Sequence, residues 1–196
     1  SNKESFIHCI IPGGQTLQSH INDFINLALK KTNVKLISFN TKIPKFNNKK
    51  AFDVLKTNAF EFISWIEELK NEFKVIVLVT NYSLPNWSSF CLRKSLNYFF
   101  LCKLESKHNL NTFEVYYHRL APKEKKKSFY IFMRDSQKKI NGSKKWFLNR
   151  DIINYTHLEE NNDDDNSKLI RLLKNETIGL WVESDFKDTM MIKGAI

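Results

Sequence analysis

Four residues, Gly13, Gly14, Gln15 and Thr16, stand between an apolar, β-prone run (Phe6 to Ile11) and an amphipathic helical pattern. A glycine turn feeding a helix gathers free backbone N–H groups and makes a general anion site. A loop that grips a nucleoside triphosphate reads G-x-x-x-x-G-K-[ST], because a lysine must reach the phosphates and a hydroxyl must hold magnesium. After Gly13-Gly14 this chain reads Gln-Thr-Leu-Gln-Ser-His, and no lysine follows until Lys30. The four residues therefore predict a degenerate phosphate loop. It has the shape of a cradle without the groups for ATP hydrolysis.

The second chemical signal is charge. Between 119 and 150 stand Arg119, Lys123, Lys125, Lys126, Lys127, Arg134, Lys138, Lys139, Lys144, Lys145 and Arg150, against only Glu124 and Asp135. This stretch carries nearly all of the formal net charge of +10, and such concentration is the footprint of a polyanion partner. Tyr116, Tyr117, Phe129, Tyr130, Phe132 and Trp146 are interleaved with it, and aromatic platforms in a basic groove hold single strands without reading sequence. The alternative is that the aromatics form the core face of a hairpin whose lysines merely solvate its tip.

Other reactive residues do not assemble into a pattern. Cys9, Cys91 and Cys102 are odd in number and sit in apolar surroundings, as in a reducing compartment. His8, His20, His108, His118 and His157 share no ligand spacing, so no metal site is expected. His20, and His118 beside Arg119, are candidate acid–base groups, but no Ser, Cys or paired carboxylate can be placed near them. Asp53 and Glu61 are isolated. No catalytic residue and no cofactor is expected.

These groups need a frame. Ile21, Phe24, Ile25, Ala28 and Leu29 share one face of a helix between Gln15 and Lys31. Val34 to Phe39 is a second strand, and Lys42 to Lys50 a basic loop. Asn58 to Lys70 reads as a helix whose stripe is Phe62, Trp65, Ile66 and Leu69, with Asn58 and Glu61 spaced as a capping box. Val75 to Thr80 (VIVLVT) is apolar on both faces, the mark of a strand covered by helices on each side. A short helix carries Trp87, Phe90 and Leu92, with Trp87 either in the core or at an interface. Asn97 to Leu104 is a further buried strand. Thr112 to Leu120 and Ser128 to Arg134 read as strands of an antiparallel hairpin with a basic tip. Residues 159–166 (EENNDDDN) read as an acidic mobile loop, followed by a helix from 167 to 175 and a strand from 178 to 182.

A chain of 196 residues with 42% hydrophobic content suits a single domain, 1–196, with one sizeable core. No apolar run reaches the length of a membrane span, and no signal peptide is visible. A soluble chain, nuclear or cytoplasmic, is expected.

The order of elements over residues 5 to 140 resembles a pared-down RecA-like ATPase core. Phe6–Lys31 stands at the phosphate-loop strand and helix, and Val34–Phe39 at the Walker B strand, here without its acid. The resemblance implies an α/β fold: a three-layer sheet with helices on both faces, a degenerate P-loop and an antiparallel hairpin extension. Recombinase paralogs acting as mediators and the accessory subunits of Elongator are similar in lacking working nucleotide motifs. They imply a non-catalytic subunit of a hetero-oligomer that contacts DNA or RNA in recombination or repair. Phosphate contacts are then expected from the basic region 112–150, with no membrane partner. A metal-dependent nuclease or nucleic-acid-modifying enzyme, and a purely structural scaffold subunit, are the alternatives.

Overall fold

The structure, a computed structural model, describes residues 6–124, 127–135 and 142–174, and of residues 121–124 the backbone alone. The chain opens with β1 (Phe6–Pro12), helix α1 (Gln18–Leu29) and β2 (Val34–Ile37). A small antiparallel pair, β3 (Lys42–Ile43) and β4 (Lys49–Lys50), closes around a 3-10 turn at Pro44–Phe46. Then come α2 (Ala51–Thr57), α3 (Ala59–Leu69), β5 (Val75–Val79), α4 (Pro85–Lys94) and β6 (Asn97–Lys103). The remaining elements are α5 (Thr112–Glu124), β7 (Lys127–Arg134), α6 (Ser143–Phe147), β8 (Tyr155–Glu159) and α7 (Asp163–Leu173).

Six strands form one parallel sheet in the order β2-β5-β1-β6-β7-β8. Parallel strands need crossovers, and the helices that supply them cover both faces. One face packs Ile10, Val75, Val77, Phe99 and Met133 against Ile21, Phe24 and Ile25 of α1 and Leu169 and Leu173 of α7. The other packs Ile76, Leu78, Phe100 and Phe132 against Phe62, Trp65, Trp87 and Trp146. Every residue of β5 is buried, and its side chains alternate between these two clusters. The two-faced apolar pattern of Val75 to Val79 is thus explained. Trp87 belongs to the core, with its indole N–H donating to the Val79 carbonyl at 2.9 Å.

The α/β fold is as expected, but several local readings are corrected. The antiparallel pair lies at residues 42–50, within the expected basic loop, not at 112–134. Residues 112–124 form helix α5, and β7 is parallel to both neighbours. The segment TFEVYYHRL satisfies two periods at once. Its alternation suggested a strand, but Phe113, Tyr116, Tyr117 and Leu120 also fall at i, i+3, i+4 and i+7, and these pack on the core. Val115, which alternation would bury, is 40% exposed. Tertiary packing chose the helix.

The acidic stretch is also ordered differently. Asp163, Asp164 and Asp165 occupy the first turn of α7, where carboxylates suit the helix dipole, and the Asn162 side chain accepts the Asp165 N–H at 3.1 Å. β2, expected at the Walker B position, is an edge strand; the neighbours of β1 are β5 and β6. At α3, Asn58 precedes the first turn without a side-chain capping bond, so the capping box does not form. The expected strand at 178–182 lies outside the described residues.

Candidate functional site

In an open α/β sheet, ligands bind beyond the carboxyl ends of the strands, where connections part to opposite faces. β1 leads to α1 on one face, whereas the connections from β5, β6 and β7 pass over the other. The Gly13–Thr16 turn sits at that parting point. Its four backbone N–H groups decide what it can hold.

All four donate within the protein. Gly13 N–H reaches the Leu101 carbonyl at 2.8 Å and Gln15 N–H the Lys107 carbonyl at 2.9 Å. Thr16 N–H reaches Gly13 O at 3.1 Å. Gly14 N–H donates to Glu114 Oε1 at 2.7 Å. The Thr16 hydroxyl oxygen, which would face a metal in a working loop, accepts the Lys103 N–H at 3.0 Å. A turn that would present donors to phosphate has none left to present.

Glu114, fully buried on α5, is the internal anion of this turn. Besides Gly14, it accepts Tyr130 O–H at 2.6 Å and Arg150 at 2.5 Å (Nε) and 2.9 Å (Nη2). The Arg150 pairing is a fork onto both carboxylate oxygens, the strongest geometry for such a pair. Burial works against the Arg150 charge, but Glu114 outweighs it and raises the guanidinium above its ordinary value. The Tyr130 hydroxyl is raised as well, by burial first and by Glu114 next, so it stays a donor. Asn111 completes the lock: its Nδ2 donates to Pro12 O at 2.7 Å and Gly14 O at 2.8 Å, and its Oδ1 accepts Glu114 N–H at 3.0 Å. Burial and the adjacent Glu114 charge keep the Cys102 thiol protonated.

The expected polyanion residues divide. Arg150 is corrected: its side chain faces Glu114 and is closed to solvent. Arg119 on α5 and Lys127 at the start of β7 are exposed, as are Lys144 and Lys145 on α6. Lys127 is the first residue of β7 and Lys144 follows the strand's carboxyl end, so the length of β7, about 23 Å from its first residue to its last, lies between them. Lys123 lies in α5. Lys125, Lys126, Lys138 and Lys139 lie outside the described residues. Of the interleaved aromatics, Tyr130, Phe132 and Trp146 are buried.

His8, on the central strand, is buried, and burial lowers its pKa to about 4 against the pull of the Leu173 carbonyl. Its Nε2–H donates to Leu173 O at 2.8 Å, which leaves Nδ1 to accept from Asn97 at 3.3 Å. His20 pairs through Nε2 with Glu160, which also meets Lys103 at 3.3 Å. Among the described residues, no group of three or more His, Cys, Asp or Glu side chains is placed to hold a metal ion. Among those residues, too, no helix is long and apolar enough to cross a membrane.

A comparison with protein-family models matches residues 15–190, most of the chain, to the Neuropathy Target Esterase family P-loop like domain. The chain belongs to this family. Comparisons with curated proteins and with solved structures gave no match. The neuropathy target esterase P-loop-like match agrees with the parallel sheet, and it supports the RecA-like, P-loop-like reading of the fold. It does not support the recombinase-paralog or Elongator type. It also overturns the expectation of a chain outside enzyme function, because the family is that of an esterase.

Glu114 was missed in the sequence. A lone acid in an aromatic stretch was its only local mark, and its partners lie 100 residues before it (Gly14) and 36 after (Arg150).

Proposed function

We propose that the chain works in ester hydrolysis, as the P-loop-like domain of an esterase-family protein whose glycine turn is held by Glu114 in place of a bound phosphate. The supporting observation is the bond from Gly14 N–H to the buried Glu114 carboxylate, with Arg150 and Tyr130 behind it. An internal carboxylate gives the turn a partner from the chain itself, so its shape does not wait on nucleotide. The test is hydrolysis of p-nitrophenyl butyrate by the natural polypeptide that carries this domain. Turnover is expected to be indifferent to ATP and Mg²⁺, and to fall severalfold in Glu114→Gln and in the milder Tyr130→Phe. Dependence on Mg²⁺-ATP, or full turnover in both variants, overturns the reading.

A second reading, contact with DNA or RNA, is favoured by one observation. Lys144 and Lys145 are exposed next to Trp146, whose ring lies on the glycine turn, and Lys107 is exposed at the same end. Anisotropy with a fluorescent single-stranded oligonucleotide, titrated with salt, tests it. Binding should weaken steeply as salt rises and fall at least tenfold in Lys144→Glu/Lys145→Glu. Unchanged binding in that double variant removes this reading.

A further inference from the structure

The carboxyl ends of β2 and β5, with the flank of α1, enclose a cleft of about 120 Å³ that the glycine turn does not use. Its floor is apolar: Ile25, Leu36 and Val79. Its rim carries four carboxamides, Asn22, Asn26, Asn40 and Asn81, and the Ser38 hydroxyl. No Lys, Arg, Asp or Glu lines it.

The rim amides are pinned by their own hydrogen bonds. Asn22 Oδ1 accepts Gln18 Nε2 at 3.0 Å, which turns Asn22 Nδ2 outward as a donor. Asn26 Nδ2 donates to Asn22 O at 2.8 Å, leaving Asn26 Oδ1 to accept. Asn81 Oδ1 accepts Ser83 N–H at 2.9 Å, leaving Asn81 Nδ2 to donate. Ser38 O–H donates to Asn40 Oδ1 at 2.8 Å, so Ser38 Oγ accepts and Asn40 Nδ2 donates.

We propose that this cleft binds an uncharged nucleobase-type heterocycle, with the ring against the Ile25–Leu36–Val79 floor and its polar edge read by the asparagines. A flat ring with apolar faces and a mixed donor–acceptor edge matches an apolar floor ringed by oriented amides, and carboxamides are the side chains that read base edges in pairs. A sugar, polar on most sides, would waste the floor. Phosphate finds no cation. The volume is about four waters' share of liquid, well below a nucleotide-sized pocket, so the site takes one base and leaves anything attached to it outside. The position, beside the parting of α1 from the β2 and β5 connections, is where open α/β sheets receive ligands. The inference is independent of the esterase reading, because no residue of the Glu114 network lines the cleft.

The test is NMR of the ¹⁵N-labelled chain, titrated separately with adenosine, cytidine, glucose and inorganic phosphate. At least one nucleoside should give saturable shifts centred on the side-chain amides of Asn22, Asn26 and Asn81, with Gly14 unmoved. Affinity should be weak, on the order of millimolar, as suits so small a contact. Asn26→Ala, at an exposed helix position, should keep the spectrum of a folded chain and weaken binding about tenfold; Asn22→Ala should do likewise. ATP should shift the same amides no more than adenosine does. No saturable shift with either nucleoside, equal shifts with glucose or phosphate, or full affinity in both alanine variants overturns the proposal.

Discussion

The indole of Trp146 lies directly on Gly14: a β-carbon at that position would meet two ring atoms at 2.6 Å. Gly14 also has φ of +55°, a conformation that disfavours a side chain. Helix α6 and the β1–α1 turn are therefore mutually shaped, although 132 positions separate the two residues.

Gly14→Ala should accordingly be costly twice over, through left-handed backbone and through a rigid neighbour. A loss of about 2–4 kcal/mol is expected in urea denaturation. Adding Trp146→Leu should not restore the parent, since it removes buried aromatic area, but the two losses should be less than additive. A Gly14→Ala chain within about 0.5 kcal/mol of the parent would refute the contact.

Glu114 and Arg150 should behave as a buried pair. Removing either partner, by Glu114→Gln or Arg150→Met, strands a charge or its donors in the interior and should cost about 3–5 kcal/mol. The double variant should recover part of that loss, which a double-mutant cycle will show. Additive losses would mean that the two side chains act separately. Added Mg²⁺-ATP should raise the thermal midpoint of the parent no more than adenosine at the same concentration does, because triphosphate binding to the native turn would add to the shift.

His8 makes stability depend on acid. Its folded pKa of about 4 lies below the ordinary 6.5, so between these values the unfolded chain binds the extra proton. Its contribution is complete above pH 6.5 and is lost as pH falls towards 4, by up to roughly 3 kcal/mol. Urea denaturation at several pH values, for the parent and for His8→Gln, isolates this effect. The variant should have a shallower slope over that window, and an equal slope would show that His8 does not titrate there.

At the start of α7, Asn162→Ala should cost about 1 kcal/mol through loss of the bond that Asp165 N–H donates. Denaturant midpoints measure it, and Asn162→Asp should be close to neutral. If Asn162→Ala is neutral too, the cap is not formed.

The core was legible because it depends on local period. Ile21, Phe24, Ile25, Ala28 and Leu29 are the buried residues of α1, and Phe62, Trp65, Ile66 and Leu69 those of α3, as their spacing requires. Val75 to Thr80 read as a central strand, and its Val75–Val79 portion forms β5, which pairs on both sides. Period fails where two periods fit the same letters, as at Thr112 to Leu120, and where an element is too short to show one. That is why α6 went unread, and the five-residue β8 with it.

Sequence alone determined that a glycine turn joins a strand to an amphipathic helix, and that the turn lacks the lysine of a triphosphate loop. Side-chain type and spacing suffice for that. Only the tertiary structure decided what the turn holds instead. The fold brings Glu114 from α5, Tyr130 from β7 and Arg150 from beyond α6 around one backbone N–H, and a buried carboxylate persists only where such partners converge. Convergence over that separation is a property of the packed sheet, so Arg150, read in the sequence as surface charge, became part of the interior.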